Sequence, residues 1–471
     1  MMESLWGLVH SQAERAPGRL ALQGTRSYSY RELTQCAGAL ADSLAERATP
    51  GTLVAVDAEG PASALLAFLA ADRAGCAVLP LSRQSPEAHR MRILEDARPG
   101  LVLRAEDEGA FSVTGTEFPR NGERERSDMT GAAYVMYTSG STGAPKGVIV
   151  SRAALIARLS GLARVPGLAP GESMLAMTAP SFDISLAEML LPLTVGGQVI
   201  AAPDEARFDP QVFGEFVEAH APDVVQATPS FWRLVTVSGW KGLPDGRIWC
   251  GGETLTPALA ERLLPSCARL WNLYGPTEAT IWATAAQVDS ADSVTVGAPL
   301  PGSHVCLDGD LPGEGEILLY GQGLACGYLG KEELTARKFP LHDTPHGRRQ
   351  VYRTGDRGRW QADGSLQFLG RDDFQVKLRG HRVELGEIEC ILEEHPEVVE
   401  GAAVLCDGDR PDRAFITAFV VAEGTTAEAL TEWVRLRLPA SHCPARIVLL
   451  PNLPRTTAGK VDRAALTEAR R

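Results

Sequence analysis

Hydrophobic and polar positions follow two patterns along the first hundred residues, one typical of helices and one typical of buried strands. Helical spacing covers residues 30–47, 61–74 and 86–97, and short apolar runs at 52–56 and 77–81 are typical of buried strands. Strands that alternate with helices in this way predict a parallel sheet with helices on its faces. The first part of the chain is therefore predicted to be α/β.

The pattern changes further along the chain. Residues 104–128 are polar and glycine-rich, which predicts a solvated connection, and residues 152–162 predict a helix capped by Ser151. From about 296 to 370, glycine, proline and aspartate interrupt short apolar runs, which predicts antiparallel strands and a small β-barrel. Alternation resumes after residue 373 and predicts a separate α+β domain, with helices at 385–394 and 427–438 and strands at 398–405, 415–421 and 447–450.

Composition narrows the function classes. A length of 471 residues suffices for two or three domains, and the net charge of −13 disfavours nucleic acid as a partner. The nine cysteines form no Cys-x-x-Cys pair, which argues against a zinc site or a disulfide framework. No apolar run is long enough to span a membrane, and the first fifteen residues lack the layout of a signal peptide. We therefore expect a cytoplasmic protein that does not bind a membrane.

A loop of glycines and hydroxyls lies between two apolar runs, over residues 134–150. Glycines can turn backbone N–H groups toward one point, hydroxyls add donors, and a lysine adds positive charge, a combination that suits a triphosphate. An ordinary hairpin loop is the alternative. The loop differs from the P-loop signature because Lys146 is followed by Gly147. The residues predicted to bind the phosphates are Thr138, Ser139, Gly140, Ser141, Thr142, Gly143 and Lys146.

Seven further motifs accompany this loop in a fixed order. They are Ser29-Tyr30-Arg31-Glu32-Leu33, Phe182-Asp183-Ile184-Ser185, Asn272-Leu273-Tyr274-Gly275-Pro276-Thr277-Glu278, Gly315-Glu316-Ile317 with the run 321–329, Tyr352-Arg353-Thr354-Gly355-Asp356, the run 370–380 and Gly459-Lys460-Val461-Asp462-Arg463. Together they resemble the adenylate-forming superfamily, specifically the adenylation domains of nonribosomal peptide synthetases, from about residue 5 to residue 463. The resemblance implies a core of residues 1–372, built from two αβ-sandwich subdomains and the β-barrel, followed by a mobile α+β lid of residues 373–471.

The resemblance also implies a reaction in two halves. A carboxylate attacks the α-phosphate of Mg-ATP to give an acyl-AMP and pyrophosphate, and a phosphopantetheine thiol on a peptidyl carrier protein then displaces AMP. Such a site needs no nucleophilic side chain, so its catalysis is positioning and charge neutralisation. The implied cofactors are ATP and Mg²⁺.

Residue roles follow from the same resemblance. Asn272 would accept the adenine amino protons, Tyr274 and Phe368 would sandwich the ring, and Asp356 would accept both ribose hydroxyls beside Arg371. Gly275 and Thr277 belong to the turn that precedes Glu278, the implied Mg²⁺ ligand. Taken alone, Phe368 is more typical of a core residue, Asp356 and Arg371 of a surface ion pair, and Glu278 of a solvated loop.

The C-terminal part contributes the mobile residues of the implied mechanism. Lys460 would lie over the carboxylate and α-phosphate, although a lone lysine this near the C-terminus is ordinarily solvated. The family usually has Asn-Gly-Lys where this chain has Ala458-Gly459-Lys460, which removes one polar contact and keeps the lysine. Asp373 matches the hinge of the lid, and Lys377 and Gly380 lie on the loop that would border the pantetheine tunnel.

Asp183 identifies the class of carboxylate, because the family's amino-acid-activating members pair this aspartate with the substrate ammonium. The alternative is a helix N-cap, and both roles can coexist. Motif alignment gives the pocket lining as Asp183, Ile184, Ala187, Gln226, Trp249, Gly251, Leu273, Ile281, Trp282 and Lys460. Most of these positions are similar to those of glycine-activating domains, with departures at Ala187 and Trp249. Glycine is therefore the expected substrate, and alanine of either hand comes next. Trp249 could instead be a core residue.

The sequence leaves several alternatives open. It contains no Gly-Gly-x-Ser carrier motif and no His-His condensation motif, so we expect a free-standing enzyme that loads a separate carrier protein, with a small activating protein as a further partner to consider. The rivals are a D-alanine–carrier protein ligase of cell-wall type, an acyl- or aryl-CoA ligase, and a non-catalytic adenylate-binding protein.

Overall fold

The computed structural model describes residues 4–58, 60–107, 110–116, 129–139, 145–311, 313–371, 375–408, 410, 413–455 and 461–468. The chain folds into two compact units. The first comprises Met1–Ser82, Ala97–Met136 and Gly147–Asp372, and the second comprises Arg83–Asp96, Tyr137–Lys146 and Asp373–Arg471.

Helices begin where the sequence supplies caps. Ser29 and Glu32 form a reciprocal capping box, and the Ser151 hydroxyl accepts from the Ala154 N–H, as predicted. The α-helices of the described residues are α1 (Leu5–Arg15), α2 (Tyr30–Ala45), α3 (Gly60–Arg73), α4 (Glu87–Ala97), α5 (Arg152–Leu162), α6 (Ile184–Val195), α7 (Pro210–His220), α8 (Pro229–Val237), α9 (Pro257–Leu263), α10 (Glu332–Lys338), α11 (Leu385–Glu393), α12 (Ala427–Arg435) and α13 (Arg463–Glu468).

The strands of the described residues are β1 (Leu20–Gln23), β2 (Tyr28–Ser29), β3 (Leu53–Asp57), β4 (Ala77–Leu81), β5 (Leu101–Asp107), β6 (Ala110–Gly115), β7 (Ala132–Thr138), β8 (Lys146–Ser151), β9 (Ser173–Ala176), β10 (Gln198–Ala201), β11 (Val224–Ala227), β12 (Leu243–Gly251), β13 (Cys267–Tyr274), β14 (Thr284–Val288), β15 (Ala298–Pro299), β16 (Ser303–Leu311), β17 (Glu314–Gly321), β18 (Gly327–Tyr328), β19 (Leu341–Thr344), β20 (Gly347–Gln350), β21 (Tyr352–Trp360), β22 (Leu366–Arg371), β23 (Gln375–Leu378), β24 (His381–Glu384), β25 (Val398–Cys406), β26 (Phe415–Ala422) and β27 (Arg446–Leu449).

Two mostly parallel sheets form the framework of the first unit. One has the order β15-β14-β13-β12-β11-β9-β10-β1-β2, and the other has the order β18-β8-β7-β4-β3-β5-β6. Helices α3 and α6 are buried over almost their whole length and belong to one hydrophobic core with side chains of both sheets. The predicted α/β alternation is confirmed, because continuous apolar runs are typical of strands and helices that are covered on every side.

Two predictions about the strands need adjustment. Residues 104–128 were predicted to be a solvated connection, but β5 and β6 pair as an antiparallel hairpin across Leu101–Asp107 and Ala110–Gly115, because Phe111 and Val113 pack against the core. Residues 117–128 lie outside the described part. Where a barrel was predicted, the structure has a four-stranded antiparallel sheet, β16-β17-β21-β22, and no described strand pair closes it.

The second unit has its own core. Strands β25, β26 and β27 form a three-stranded sheet, and α11 and α12 contribute buried leucines, isoleucines and valines to the core beside it. The helices and strands predicted after residue 373 are confirmed to within three residues. Their patterns are clear because the apolar face of each helix packs on this sheet.

Candidate active site

Three neighbouring parallel strands bring four of the predicted pocket residues to one edge of the nine-stranded sheet. Gln226 and Leu273 are the last residues but one of β11 and β13, and Trp249 and Gly251 lie in the last three residues of β12. Their register pairs Gln226 with Trp249 and Gly251 with Leu273, so all four side-chain positions share one face. The carboxyl ends of parallel strands are where α/β sheets bind ligands. Trp249 is fully buried in the core, and no described residue accepts a hydrogen bond from its indole N–H.

Asp183 stands at the start of α6 but does not cap it with its side chain. Its carboxylate accepts from the Ile281 N–H at 3.3 Å and hydrogen-bonds to the Thr277 hydroxyl. Burial raises the pKa of Asp183 to about 6, against these hydrogen bonds, which lower it, and the Glu278 carboxylate raises it further. The helix-cap alternative is therefore not how this side chain is used. Ala187 lies one turn further along α6 and is also fully buried.

A tight turn after β13 carries several of the predicted residues. A Cβ on Gly275 would lie 2.7 Å from the Ala283 nitrogen and from the Trp282 Cα, so only glycine allows this close approach. Thr280 and Ile281 have φ angles of 58° and 67°, and positive φ is strained in branched residues. In this geometry the Ile281 N–H donates to Asp183.

The Trp282 indole fills the volume next to Gly251. A Cβ on Gly251 would lie 2.6 Å from Trp282 Cη2, so the ring lies directly against the glycine. The indole N–H donates to Gln226 Oε1 at 2.8 Å, and Gln226 Nε2 donates to Glu188 Oε1 at 2.9 Å and to the Ile184 carbonyl at 3.0 Å. Glu188 is fully buried and also accepts from the Met177 and Thr178 N–H groups, at 2.9 and 2.8 Å. Because the carboxylate only accepts, it fixes which end of the Gln226 amide faces Trp282.

The predicted nucleotide residues form a second polar group in the same unit. The Tyr274 hydroxyl donates to Asp356 Oδ2 at 2.6 Å, and Arg371 donates to Asp356 Oδ1. Asp356 is 2% exposed, so the alternative of a surface ion pair does not apply. The Tyr274 and Phe368 ring centroids are 6.2 Å apart, with planes inclined by 40°. Asn272 donates from its amide nitrogen to the Thr295 carbonyl at 2.7 Å, which turns its amide oxygen away from that carbonyl.

Glu278 is a fully buried carboxylate, which rules out the solvated-loop alternative. Its Oε1 accepts from the Tyr328 hydroxyl at 2.8 Å, and its negative charge raises the pKa of Asp183. A buried carboxylate suits a cation, and Mg²⁺ is commonly bound by one or two carboxylates together with substrate phosphates. The residues present therefore fit the predicted metal. The described residues contain no larger cluster of His, Cys, Asp or Glu that could hold a metal ion.

The remaining predicted residues belong to the second unit or are not described. Ser139 is buried and donates to the Arg382 carbonyl at 2.7 Å, Thr138 Oγ1 and Lys146 are also buried, and Lys377 is half-buried on β23. Gly380 completes a turn between β23 and β24, with a φ of 82°. Six predictions lie outside the described residues: Gly140, Ser141, Thr142, Gly143, Asp373 and Lys460.

Two family models match this arrangement. The AMP-binding enzyme model matches residues 9–329, which is more than half of the chain, and the AMP-binding enzyme C-terminal domain model matches residues 387–460. The chain belongs to the AMP-binding enzyme family. It is an adenylation domain of the adenylate-forming superfamily and an ATP-dependent ligase.

The two relatives named next are much longer proteins, and this adenylation domain matches only a part of each. The chain is 35% identical to a dimodular nonribosomal peptide synthase of Bacillus subtilis (strain 168) and 34% identical to tyrocidine synthase 3 of Brevibacillus parabrevis, over 98% and 99% of the chain. It spans only 21% and 8% of their lengths.

Solved structures agree on the fold. Holo-AB3403, a four-domain nonribosomal peptide synthetase bound to AMP and glycine, is 32% identical with a TM-score of 0.71, over 98% of the chain and 36% of AB3403. Holo-PA1221, which contains adenylation and PCP domains, is 26% identical with a TM-score of 0.84, over 99% of the chain and 84% of PA1221. No helix among the described residues of the adenylation domain is both long and apolar enough to cross a membrane.

Three further residues organise this adenylation domain's site and were not predicted from the sequence. Glu188 holds Gln226, Tyr328 holds Glu278, and Arg158 holds the turn at Thr280. Glu188 and Arg158 are charged residues inside largely apolar helices, where charge is rare unless it is paired. For these two residues, that rarity is the sequence signal that could have identified them.

Proposed function

We propose that this adenylation domain activates glycine, with alanine as the next substrate, to form the aminoacyl-AMP and pyrophosphate. In the proposal Asp183 pairs with the substrate ammonium, because a buried ammonium without a partner costs several kcal/mol. The Mg²⁺ bound by Glu278 and the nucleotide phosphates would neutralise phosphate charge. Asp356 and Arg371 would hold the ribose, and Tyr274 and Phe368 the adenine.

The observation that carries the glycine proposal is the position of the Trp282 indole. It lies against Gly251, where a longer substrate side chain would otherwise extend, and the chain from Glu188 through Gln226 fixes its orientation. The two charged residues of the predicted lining, Asp183 and Lys460, already have proposed partners in the substrate ammonium and carboxylate. The lining offers no further charge that would pair with a charged substrate side chain. The solved relative AB3403, which was bound to AMP and glycine, supports the same assignment. Ala187 is small and leaves alanine as the competitor.

The proposal includes a second step, in which a peptidyl carrier protein's phosphopantetheine thiol displaces AMP to form a thioester. The presence of adenylation and PCP domains together in PA1221 supports this partner. In this step Asp373 would be the hinge between core and lid, and Lys377 and Gly380 would lie near the thiol. During the first step Lys460 would contact the carboxylate and α-phosphate. That the carrier is a separate protein, and that a small activating protein binds, remain predictions from the sequence.

ATP–pyrophosphate exchange over a substrate panel tests the proposal. The panel contains the proteinogenic amino acids, D-alanine, propionate and benzoate, with ATP and Mg²⁺ held constant. We expect exchange with glycine, weaker exchange with alanine, and none with propionate or benzoate. D-alanine as the best substrate would favour the cell-wall type of ligase, and exchange with propionate or benzoate alone would favour a CoA ligase. The absence of any exchange would favour an adenylate-binding protein.

Opening the pocket should relax its preference for glycine. Trp282→Leu removes the ring that lies on Gly251, so we expect the ratio of alanine to glycine kcat/KM to rise by about tenfold, since a methylene in an apolar pocket is worth about 1–3 kcal/mol. Trp282→Phe is the intermediate variant, because it keeps one aromatic ring but loses the N–H donor to Gln226 and part of the indole volume, so its ratio should rise by less. An unchanged ratio in Trp282→Leu would show that this ring does not limit the substrate size.

A further inference from the structure

Arg158 is a buried cation in the middle of α5. Its side chain is only 2% exposed, and no described carboxylate lies within ion-pair distance of it. Burial lowers the pKa of its guanidinium to about 10, so the group stays protonated at neutral pH. A buried charge without an ion pair is costly unless hydrogen bonds compensate it. The hydrogen-bond acceptors of this guanidinium must therefore compensate for the burial of its charge.

All three nitrogens of the guanidinium donate hydrogen bonds, two of them to backbone carbonyls near the candidate site. Nε donates to the Thr280 carbonyl at 2.9 Å, Nη2 to the Ala279 carbonyl at 3.0 Å, and Nη1 to the Ser303 hydroxyl at 2.6 Å. The two carbonyls follow Glu278 directly and precede Ile281. Arg158 thus holds the segment in which Thr280 and Ile281 adopt positive φ.

The held segment carries two different site elements. Glu278 lies at its beginning, and the Ile281 N–H that donates to Asp183 lies at its end, followed by the Trp282 indole that fills the pocket. Two consecutive positive φ angles in branched residues cost free energy and persist only where neighbours impose them. A planar guanidinium can hold two carbonyls and a hydroxyl at once, which a lysine ammonium cannot do in the same geometry.

We propose that Arg158 is a positioning residue that sets the amino-acid side of the site through the backbone of Ala279 and Thr280. The inference rests on the proposed function, because it assumes that Asp183, Ile281 and Trp282 receive the substrate. Arg158 touches none of the predicted nucleotide residues that hold adenine or ribose. Its loss should therefore affect binding of the aminoacyl part and leave binding of AMP unchanged.

Gly323 offers a second way to displace the same guanidinium. A Cβ at Gly323 would lie 2.0 Å from Arg158 Nη2, so a methyl group there must push the guanidinium aside while the charge is retained. Gly323 has no positive φ, so an alanine strains nothing in its own backbone. Gly323→Ala and Arg158→Lys therefore perturb one contact from opposite sides. If the inference is right, they should give the same phenotype.

The test compares two ligands by calorimetry without Mg²⁺: AMP, and the sulfamoyl analogue of glycyl-AMP, which cannot be hydrolysed. The variants are Arg158→Lys and Gly323→Ala, and the melting temperature of each is recorded. Arg152→Lys is the matched control, since Arg152 begins the same helix and pairs with Asp72, away from the held segment. We expect both variants to bind the analogue about tenfold more weakly, a loss of ~1.4 kcal/mol, and to bind AMP within about twofold of wild type.

Three results would overturn the inference, in distinguishable ways. If wild type binds the analogue clearly better than AMP and both variants keep this gain, Arg158 does not position the amino-acid side. Weakening of AMP and analogue by equal factors would also overturn it, because it would indicate general damage to the fold. If wild type shows no gain for the analogue over AMP, the proposed function itself fails and the inference fails with it.

Discussion

Asp183→Asn is expected to reduce glycine-dependent ATP–pyrophosphate exchange by at least about 10²-fold. Asparagine has nearly the same shape and can still accept from the Ile281 N–H, but it removes the negative charge that would face the substrate ammonium. Breaking one partner of a buried ion pair costs about 3–5 kcal/mol. At 1.4 kcal/mol per tenfold, this corresponds to a loss of about 10² or more in kcat/KM for glycine. Initial rates over a range of glycine concentrations would measure it.

Propionate provides the control for this variant, because it resembles alanine without the ammonium. Exchange with propionate should stay as low in Asp183→Asn as in wild type, or improve, since the variant no longer buries an uncompensated carboxylate beside it. AMP binding should be unchanged. An Asp183→Asn variant that keeps more than a tenth of the wild-type kcat/KM for glycine would contradict the pairing.

The raised pKa of Asp183 adds a pH profile to the same prediction. Because its pKa is about 6, the carboxyl becomes protonated as the pH falls through 6, and kcat/KM for glycine in wild type should then fall by about tenfold per pH unit. This limb should be absent from the residual activity of Asp183→Asn. A wild-type profile that stays level down to pH 5 would contradict the assignment.

Asp183→Asn should lose activity but should not lose stability. A carboxyl whose folded pKa is raised from 3.8 to about 6 favours the folded state below pH 3.8, and that contribution is lost as the pH rises through 6. At pH 7.5 the ionised Asp183 therefore destabilises the fold, and Asp183→Asn should melt at the same temperature as wild type or higher. Lower activity with undiminished stability is typical of a residue kept for binding.

The elements of the fold could be predicted from the sequence where one pattern dominates. Strand β4 has the predicted limits, and α2 begins at the predicted residue, because continuous apolar runs and a capping box are signals of local origin. The hairpin of β5 and β6 was missed because its second strand alternates weakly between serine, threonine and apolar residues. That strand forms because β5 offers a paired edge, and no pattern within residues 110–115 encodes this neighbour.

The residues of the site could be predicted from motifs, but the contacts between them could not. Motifs led to Asp183, Gln226 and Trp282, but they did not indicate that the Gln226 amide links Trp282 to Glu188. Such a chain of hydrogen bonds joins residues 38 and 56 positions apart, which depends on the register of β11 and on where α6 begins. Arg158 is a similar case, because two of its three acceptors are backbone carbonyl groups, which carry no sequence signal.

Glu278→Gln is expected to reduce glycine-dependent exchange by about 10²-fold and to raise the Mg²⁺ concentration required for half-maximal rate. The amide keeps an oxygen that can accept from the Tyr328 hydroxyl, so the turn should stay folded. It removes the anionic oxygen, however, and Mg²⁺ prefers a carboxylate to a neutral amide. Charge stabilisation by a bound metal is worth several kcal/mol in the transition state, which sets the size of the loss.

Tyr328→Phe is the matched control, because it removes the hydrogen bond to Glu278 Oε1 and leaves the carboxylate in place. Its exchange rate should fall by less than that of Glu278→Gln, since the carboxylate that would hold Mg²⁺ is kept and only one hydrogen bond to a charged group is lost, which is worth about 1.5–3 kcal/mol of stability. AMP binding without Mg²⁺ should be the same in wild type and both variants. If Glu278→Gln showed the wild-type Mg²⁺ dependence, the carboxylate would be structural, and its contact with Tyr328 would then account for its burial.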